Sequence, residues 1–103
     1  MKVQRTHNFD KEEARGRLEA LTHYWSSRYG IASRWSGDTV HIAGKVKGIT
    51  FEGDIQVNDK DIAGDVKAGF LAEKLGGRQY VEQKLQEYFD TANTLEKLRE
   101  RAG

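Results

Sequence analysis

The chain has 103 residues, 37% of them hydrophobic and 32% charged, which is enough for one domain with one small core. Lys plus Arg number 17 and Asp plus Glu 16. That near balance argues against a general polyanion binder, which needs a clear basic excess. With no cysteine, disulfides, thiol catalysis, Cys-ligated zinc and iron–sulfur clusters are excluded. No apolar run is long enough to span a membrane, and Met1-Lys2-Val3-Gln4-Arg5 lacks the apolar core of a secretion signal. A cytoplasmic protein is the expectation. The sequence contains no proline, so Pro-rich linkers and polyproline motifs are absent as well.

In chain order, Val3, Arg5, His7 and Phe9 alternate and predict a short N-terminal strand. Asp10-Lys11-Glu12-Glu13 is a capping-box pattern in which Asp10 accepts from an orphan N–H and Glu13 reaches back. Ala14, Leu18, Leu21 and Trp25 follow at helical spacing. They define one buried stripe, with Glu12, Gly16, Glu19 and His23 on the opposite side. Gly30 supplies the stop, so helix one is predicted over about residues 10–29.

From residue 31 the period becomes two. Ile31, Ser33 and Trp35, then Val40, Ile42, Gly44 and Val46, fall on one face. They are followed by Ile49, Phe51, Gly53, Ile55 and Val57, and by Ile62, Gly64, Val66, Ala68 and Phe70. The parity flips are explained by two-residue loops at Gly37-Asp38, Lys47-Gly48 and Asp59-Lys60. Such loops pair Trp35 with Val40, Val46 with Ile49 and Val57 with Ile62, which keeps the apolar set on one face throughout. The prediction is a four-stranded antiparallel meander. Gly53 then faces Val66 and Gly64 faces Ile55, a trough into which a helix or an aromatic ring can settle. The opposite face, with Glu52, Asp54, Gln56, Asp65 and Lys67, is polar and predicts helices on one side of the sheet only.

Leu71 and Leu75 predict a short helical turn before Gly76-Gly77. Beyond it Val81, Leu85, Tyr88, Ala92 and Leu95 resume the helical period, with Phe89 and Leu98 beside the stripe. One helix over about 78–101 would be roughly 36 Å long, longer than the sheet. Residues 91–103 are therefore expected as an overhanging tail of a single domain spanning 1–103. Strand, helix, meander and long C-terminal helix make an α+β layer fold of helix-grip-like shape.

The chemical census is negative. His7, His23 and His41 are dispersed and show no His-x-x-x-His spacing, so no metal site is expected. Glu52 and Asp54 form an exposed carboxylate pair without the burial that a catalytic acid needs. The serines lack a nucleophile elbow, and no Walker or dinucleotide-binding motif occurs. Leu75-Gly76-Gly77-Arg78 reads as a bend rather than an anion site. The helix–sheet–helix order also describes double-stranded-RNA-binding domains. The second helix, however, opens Arg78-Gln79-Tyr80-Val81-Glu82 without a lysine cluster, so nucleic acid is not expected. No catalytic residue and no cofactor is assigned. The aromatics mostly fall on core positions. The binding feature they allow is an apolar groove between sheet and C-terminal helix, lined by Trp35, Phe51, Phe70 and Tyr88. Ala92, Leu95 and Leu98 continue an apolar seam past the sheet and mark a partner or homodimer surface.

Ser27-Arg28-Tyr29-Gly30, Arg34-Trp35-Ser36-Gly37-Asp38-Thr39-Val40-His41, Gly53-Asp54-Ile55-Gln56-Val57 and Gly69-Phe70-Leu71 carry, in their order and spacing, a family likeness. From Met1 to about Phe89 the chain resembles the small polyhydroxyalkanoic acid system proteins. That family is named for its occurrence with polyhydroxyalkanoate genes in bacteria. The resemblance implies an accessory protein, with the storage granule or a granule-bound protein as partner. It implies no activity and no catalytic residues.

Overall fold

The structure is a computed structural model that describes residues 1–46, 48–69 and 76–102. Its elements run β1 (Lys2–Thr6), α1 (Lys11–Tyr29), β2 (Ala32–Ser36), β3 (Thr39–Val46), β4 (Ile49–Val57), β5 (Asp61–Lys67), α2 (Arg78–Tyr88) and α3 (Leu95–Glu100). The fold is α+β, as the periodicities require.

α1 begins where a carboxylate can satisfy a free N–H. Asp10 accepts from the Glu13 amide at 2.7 Å, although Glu13 does not reach back. Its carboxylate instead pairs with Arg17 at 3.0 Å. The helix ends at Gly30, whose φ of 70° is left-handed backbone that glycine adopts without a Cβ penalty.

All strand pairs are antiparallel and the sheet order is β1-β5-β4-β3-β2. The predicted hairpin registers are all present: Trp35 faces Val40, Val46 faces Ile49 and Val57 faces Ile62. Gly37 and Gly48, at φ 59° and 80°, supply the positive φ of their turns. Lys47, the other residue of the second turn, lies outside the described residues, as does the predicted helical turn at Leu71–Leu75. The N-terminal strand does not stand apart. β1 pairs with β5, Lys2 opposite Asp65 through Thr6 opposite Asp61, and makes the sheet five-stranded.

One face of this sheet is the core. Ala14, Leu18, Leu21 and Trp25 of α1 and Val81, Leu85 and Tyr88 of α2 pack on Val40, Ile42, Ile55, Val57, Ile62 and Val66. Gly53 and Gly64 are in register as predicted. The partner strand itself makes the close approach. A Cβ on Gly64 would collide with the Asp54 carbonyl oxygen, and one on Gly53 would lie 2.6 Å from the Asp65 carbonyl oxygen.

The single long C-terminal helix is not formed. α2 stops at Tyr88 and α3 starts at Leu95, because the intervening polar side chains compete for the backbone. Asn93 Nδ2 donates to the Glu87 carbonyl at 2.9 Å, and Asp90 Oδ1 accepts from the Ala92 amide at 2.9 Å. Thr94 then caps α3 by accepting from the Lys97 amide at 3.3 Å. α3 folds back onto α1 rather than overhanging. It covers the side of α1 that was expected to meet solvent, and Gly16 makes room there: a Cβ on it would sit 3.1 Å from Leu95 Cδ2. Ser27 Oγ donates to the Ala102 carbonyl at 2.8 Å and fastens the far end.

Candidate functional site

The helix-covered face of the sheet holds an apolar pocket of about 360 Å³, between the end of α1, the β3–β4 hairpin and the start of α2. Alternation along the strands supplies Ile42, Val46, Phe51 and Val66; the helices supply Trp25, Tyr29, Tyr80 and Val81, and Ile31 lines it from the α1–β2 connection. At the start of α2, Gly76 has a φ of 102°, backbone that glycine adopts without a Cβ penalty.

The polar content of the pocket is small and placed at one point. Trp25 Nε1 donates to the Tyr80 hydroxyl at 3.2 Å. Burial, together with the neighbouring Tyr29 hydroxyl, raises the Tyr80 phenol above its ordinary pKa. Tyr29, the last residue of α1, forms part of the pocket wall, and Ile49, the first residue of β4, is the cross-strand partner of the pocket's Val46. Among the described residues Tyr29 and Ile49 are the exposed large hydrophobics, at 40% and 37%. The arrangement can hold an apolar group against an aromatic wall that carries the Tyr29 and Tyr80 hydroxyls.

A second cleft, of about 690 Å³, lies between α1 and the edge strand β2. Its walls are polar and include Arg15, Glu19, His23, Ser33, Trp35 and Arg99. The Arg15 guanidinium lies 4.3 Å above the Trp35 ring and pairs with Glu19 at 2.8 Å.

On the outer, polar face the sheet register brings His41 to the expected pair Glu52 and Asp54. His41 faces Asp54, with Nδ1 to Oδ1 at 2.9 Å, and its Nε2 lies 3.8 Å from Glu52 Oε1. All three are open to water, and an exposed pair of this kind adds little stability. Among the described residues no group of three His, Asp or Glu side chains is arranged to hold a metal.

The residues proposed from the sequence for one groove are not brought together. Phe51 lines the apolar pocket, whereas Trp35 lines the polar cleft. Both point to the helix side, but Trp35 is level with Ile55 across β3. Phe51 therefore lies about 13 Å further along the strand direction. Tyr88 is fully buried in the core, and Phe70 lies outside the described residues. Tyr88 carries a hydroxyl without a hydrogen-bond partner. Burial first, and the Glu87 carboxylate second, push its pKa up to about 12. The proposed partner seam turns inward: Leu98 is fully buried, Leu95 packs against the core and Ala92 alone is exposed. Its side chains follow α3 onto α1.

Three residues of consequence were missed. Tyr29 and Tyr80 sit beside the stripes used to read the helices, and their only signal was aromatic character at the end of α1 and the start of α2. Arg17 is the third. It is 3% exposed and donates to the carbonyls of Tyr88 at 3.0 Å and Asp90 at 3.2 Å. Its guanidinium also covers the Phe9 ring at 3.9 Å. It ties α1 to the end of α2, where helix carbonyls lack partners. His7 is buried as well, not a surface histidine. Its Nδ1 accepts from the Phe9 amide at 3.2 Å, so Nε2 is the donor to the Asn58 carbonyl at 3.1 Å.

No helix among the described residues is long and apolar enough to cross a membrane. Comparison with curated proteins and with solved structures gives no match. Comparison with family models does, over the whole sheet and α2 but not α3: through residues 1–92 the chain belongs to the family described as "Putative polyhydroxyalkanoic acid system protein".

Proposed function

We propose that the chain is a non-catalytic accessory protein of the polyhydroxyalkanoate system that attaches to the storage granule in the cytoplasm. The observation that carries this reading is the apolar pocket, lined by the exposed Tyr29 and by Val46, whose cross-strand partner is the exposed Ile49. A granule presents an apolar polymer beneath its coat, and exposed apolar side chains around a pocket are what such a surface, or a protein seated on it, can cover. Ala92, Leu95 and Leu98 no longer serve this purpose, because Leu98 is spent inside the fold. The formal net charge of +1 gives little long-range attraction to an anionic coat. Attachment of this kind therefore resists salt and yields to detergent.

The test is to purify granules from cells making the chain, wash them with concentrated salt and then with detergent, and blot each fraction. Retention through salt and release by detergent is expected, with loss of retention in the Tyr29→Ser, Ile49→Ser double variant. Absence from granules, release by salt alone, or undiminished retention of the double variant would overturn the reading. Ester hydrolysis by the pure chain, removed by one side-chain substitution, would overturn the non-catalytic part.

A second reading is favoured by the Trp25–Tyr80 hydrogen bond, a single polar point in an apolar pocket. It takes the pocket as a site for one small acyl chain. Quenching of tryptophan fluorescence by a medium-chain fatty acid, lost on Tyr80→Phe, would support it. An unchanged spectrum would remove it.

A further inference from the structure

The sheet has two edges, β1 and β2, and they are not alike. β1 carries two charges, Lys2 and Arg5, of the kind that guard an edge against further pairing, whereas β2 carries one, Arg34. β2 reads Ala32-Ser33-Arg34-Trp35-Ser36, with no proline and no lysine. Ser36 faces Thr39 across the Gly37-Asp38 turn, and the closing pair of a two-residue hairpin is a hydrogen-bonded one. Alternation then directs the N–H and C=O groups of Ser33 and Trp35 away from β3, to the open edge. That edge borders the 690 Å³ cleft against α1, so a strand added to β2 would drop every second side chain into it.

The cleft has a sign. Arg15 and Glu19 satisfy each other. Arg99, on the cleft wall, has no carboxylate within ion-pairing distance among the described residues. His23 stands on the same wall. A second copy of the chain fits this edge poorly. Antiparallel pairing of β2 with itself about its centre sets Arg34 against Arg34, and β1 brings Lys2 and Arg5.

We propose that β2 is a docking edge for an extended acidic segment of a partner protein. The segment joins the sheet as a sixth strand and sets alternate Asp or Glu side chains against Arg99 and His23. The residues lining this cleft are not those lining the apolar pocket, and the proposal does not depend on the granule reading.

The probe is a blocked peptide alternating Glu with Val, compared with its Lys–Val counterpart and with a form N-methylated at every second amide. Binding is followed by calorimetry. The Glu–Val peptide is expected to bind, and the Lys–Val peptide not to. One of the two N-methylation phases should weaken binding at least tenfold, since it removes the donors facing β2. Ser33→Pro, which removes an edge donor without touching the β2–β3 ladder, should also weaken binding at least tenfold. Arg99→Glu should do the same, and thermal melts would establish that both variants fold. Failure of the Glu–Val peptide to bind, equal binding of the Lys–Val peptide, or indifference to both methylation phases would overturn the proposal. So would a dimer in sedimentation that Ser33→Pro abolishes, since a second copy would then hold the edge.

Discussion

At the scale of single residues, the least replaceable position is one that has no side chain. Gly64 faces inward beside Ile55, and any Cβ there meets the backbone of β4. Gly64→Val should lower stability by about 1–3 kcal/mol, read as a drop in the denaturant midpoint at constant slope. An unchanged midpoint would contradict the register. Tyr88 makes the opposite case. Its hydroxyl is buried without a partner, which costs about 1–3 kcal/mol, so Tyr88→Phe should fold at least as stably as the parent chain. The same hydroxyl sets a pH dependence. The folded chain keeps the phenol protonated up to about 12, whereas an unfolded chain releases the proton near pH 10. The stability from this group is whole below about pH 10 and is lost as the pH climbs toward 12. Alkaline melts of the parent chain should fall over that interval, and those of Tyr88→Phe should fall less. Only part of this was legible beforehand. The register of Gly64 could be read from alternation, but the neighbour closing on it could not. The buried Arg17 and His7 were hidden by their polar side chains, since burial of such residues depends on carbonyls far away in sequence.

At the scale of elements, hairpins proved far easier to read than helix ends. Each two-residue turn ties register to the apolar pattern, so an error of one residue would put a whole strand's apolar set in water. The C-terminal helix had no such check. Val81, Leu85, Tyr88, Ala92 and Leu95 keep one helical phase straight through a break, and periodicity alone cannot see that the backbone has turned. The signal lay in Asp90, Asn93 and Thr94, whose short polar side chains hydrogen-bond to the local backbone and favour turns and caps over helix interiors. The energetic expectation changes with the geometry. Leu98 is fully buried, so Leu98→Ala should cost about 2–5 kcal/mol. Thr94→Ala, which removes only the cap, should cost about 1 kcal/mol. Thermal melts of the two variants would rank them, and equal, negligible losses would mean that α3 is not part of the folded unit. For the candidate site the same lesson holds. Phe51 was placed correctly by strand alternation, whereas Trp35 was grouped with it because a shared face says nothing about distance along the strand.

At the scale of the whole molecule, one connection departs from the local order of the rest. β2, β3, β4 and β5 pair with their neighbours in sequence, but β1 pairs with β5, roughly 60 residues later. Hairpin pairing is nearly free of chain entropy to close, whereas this contact must close most of the chain into a loop. Native-state hydrogen exchange should register the difference. Amides of β3 and β4 are expected to exchange only through global unfolding, and those of β1 through a cheaper opening in which the strand lifts off β5. Equal protection in all the strands would show that β1 is locked as firmly as the meander. On the ribosome the same arrangement imposes an order of events. The first strand to emerge is the last that can dock, so Val3 and His7 remain uncovered throughout synthesis of the meander. A cell making this chain therefore carries, on every nascent copy, an unpaired strand that only the finished sheet can shelter.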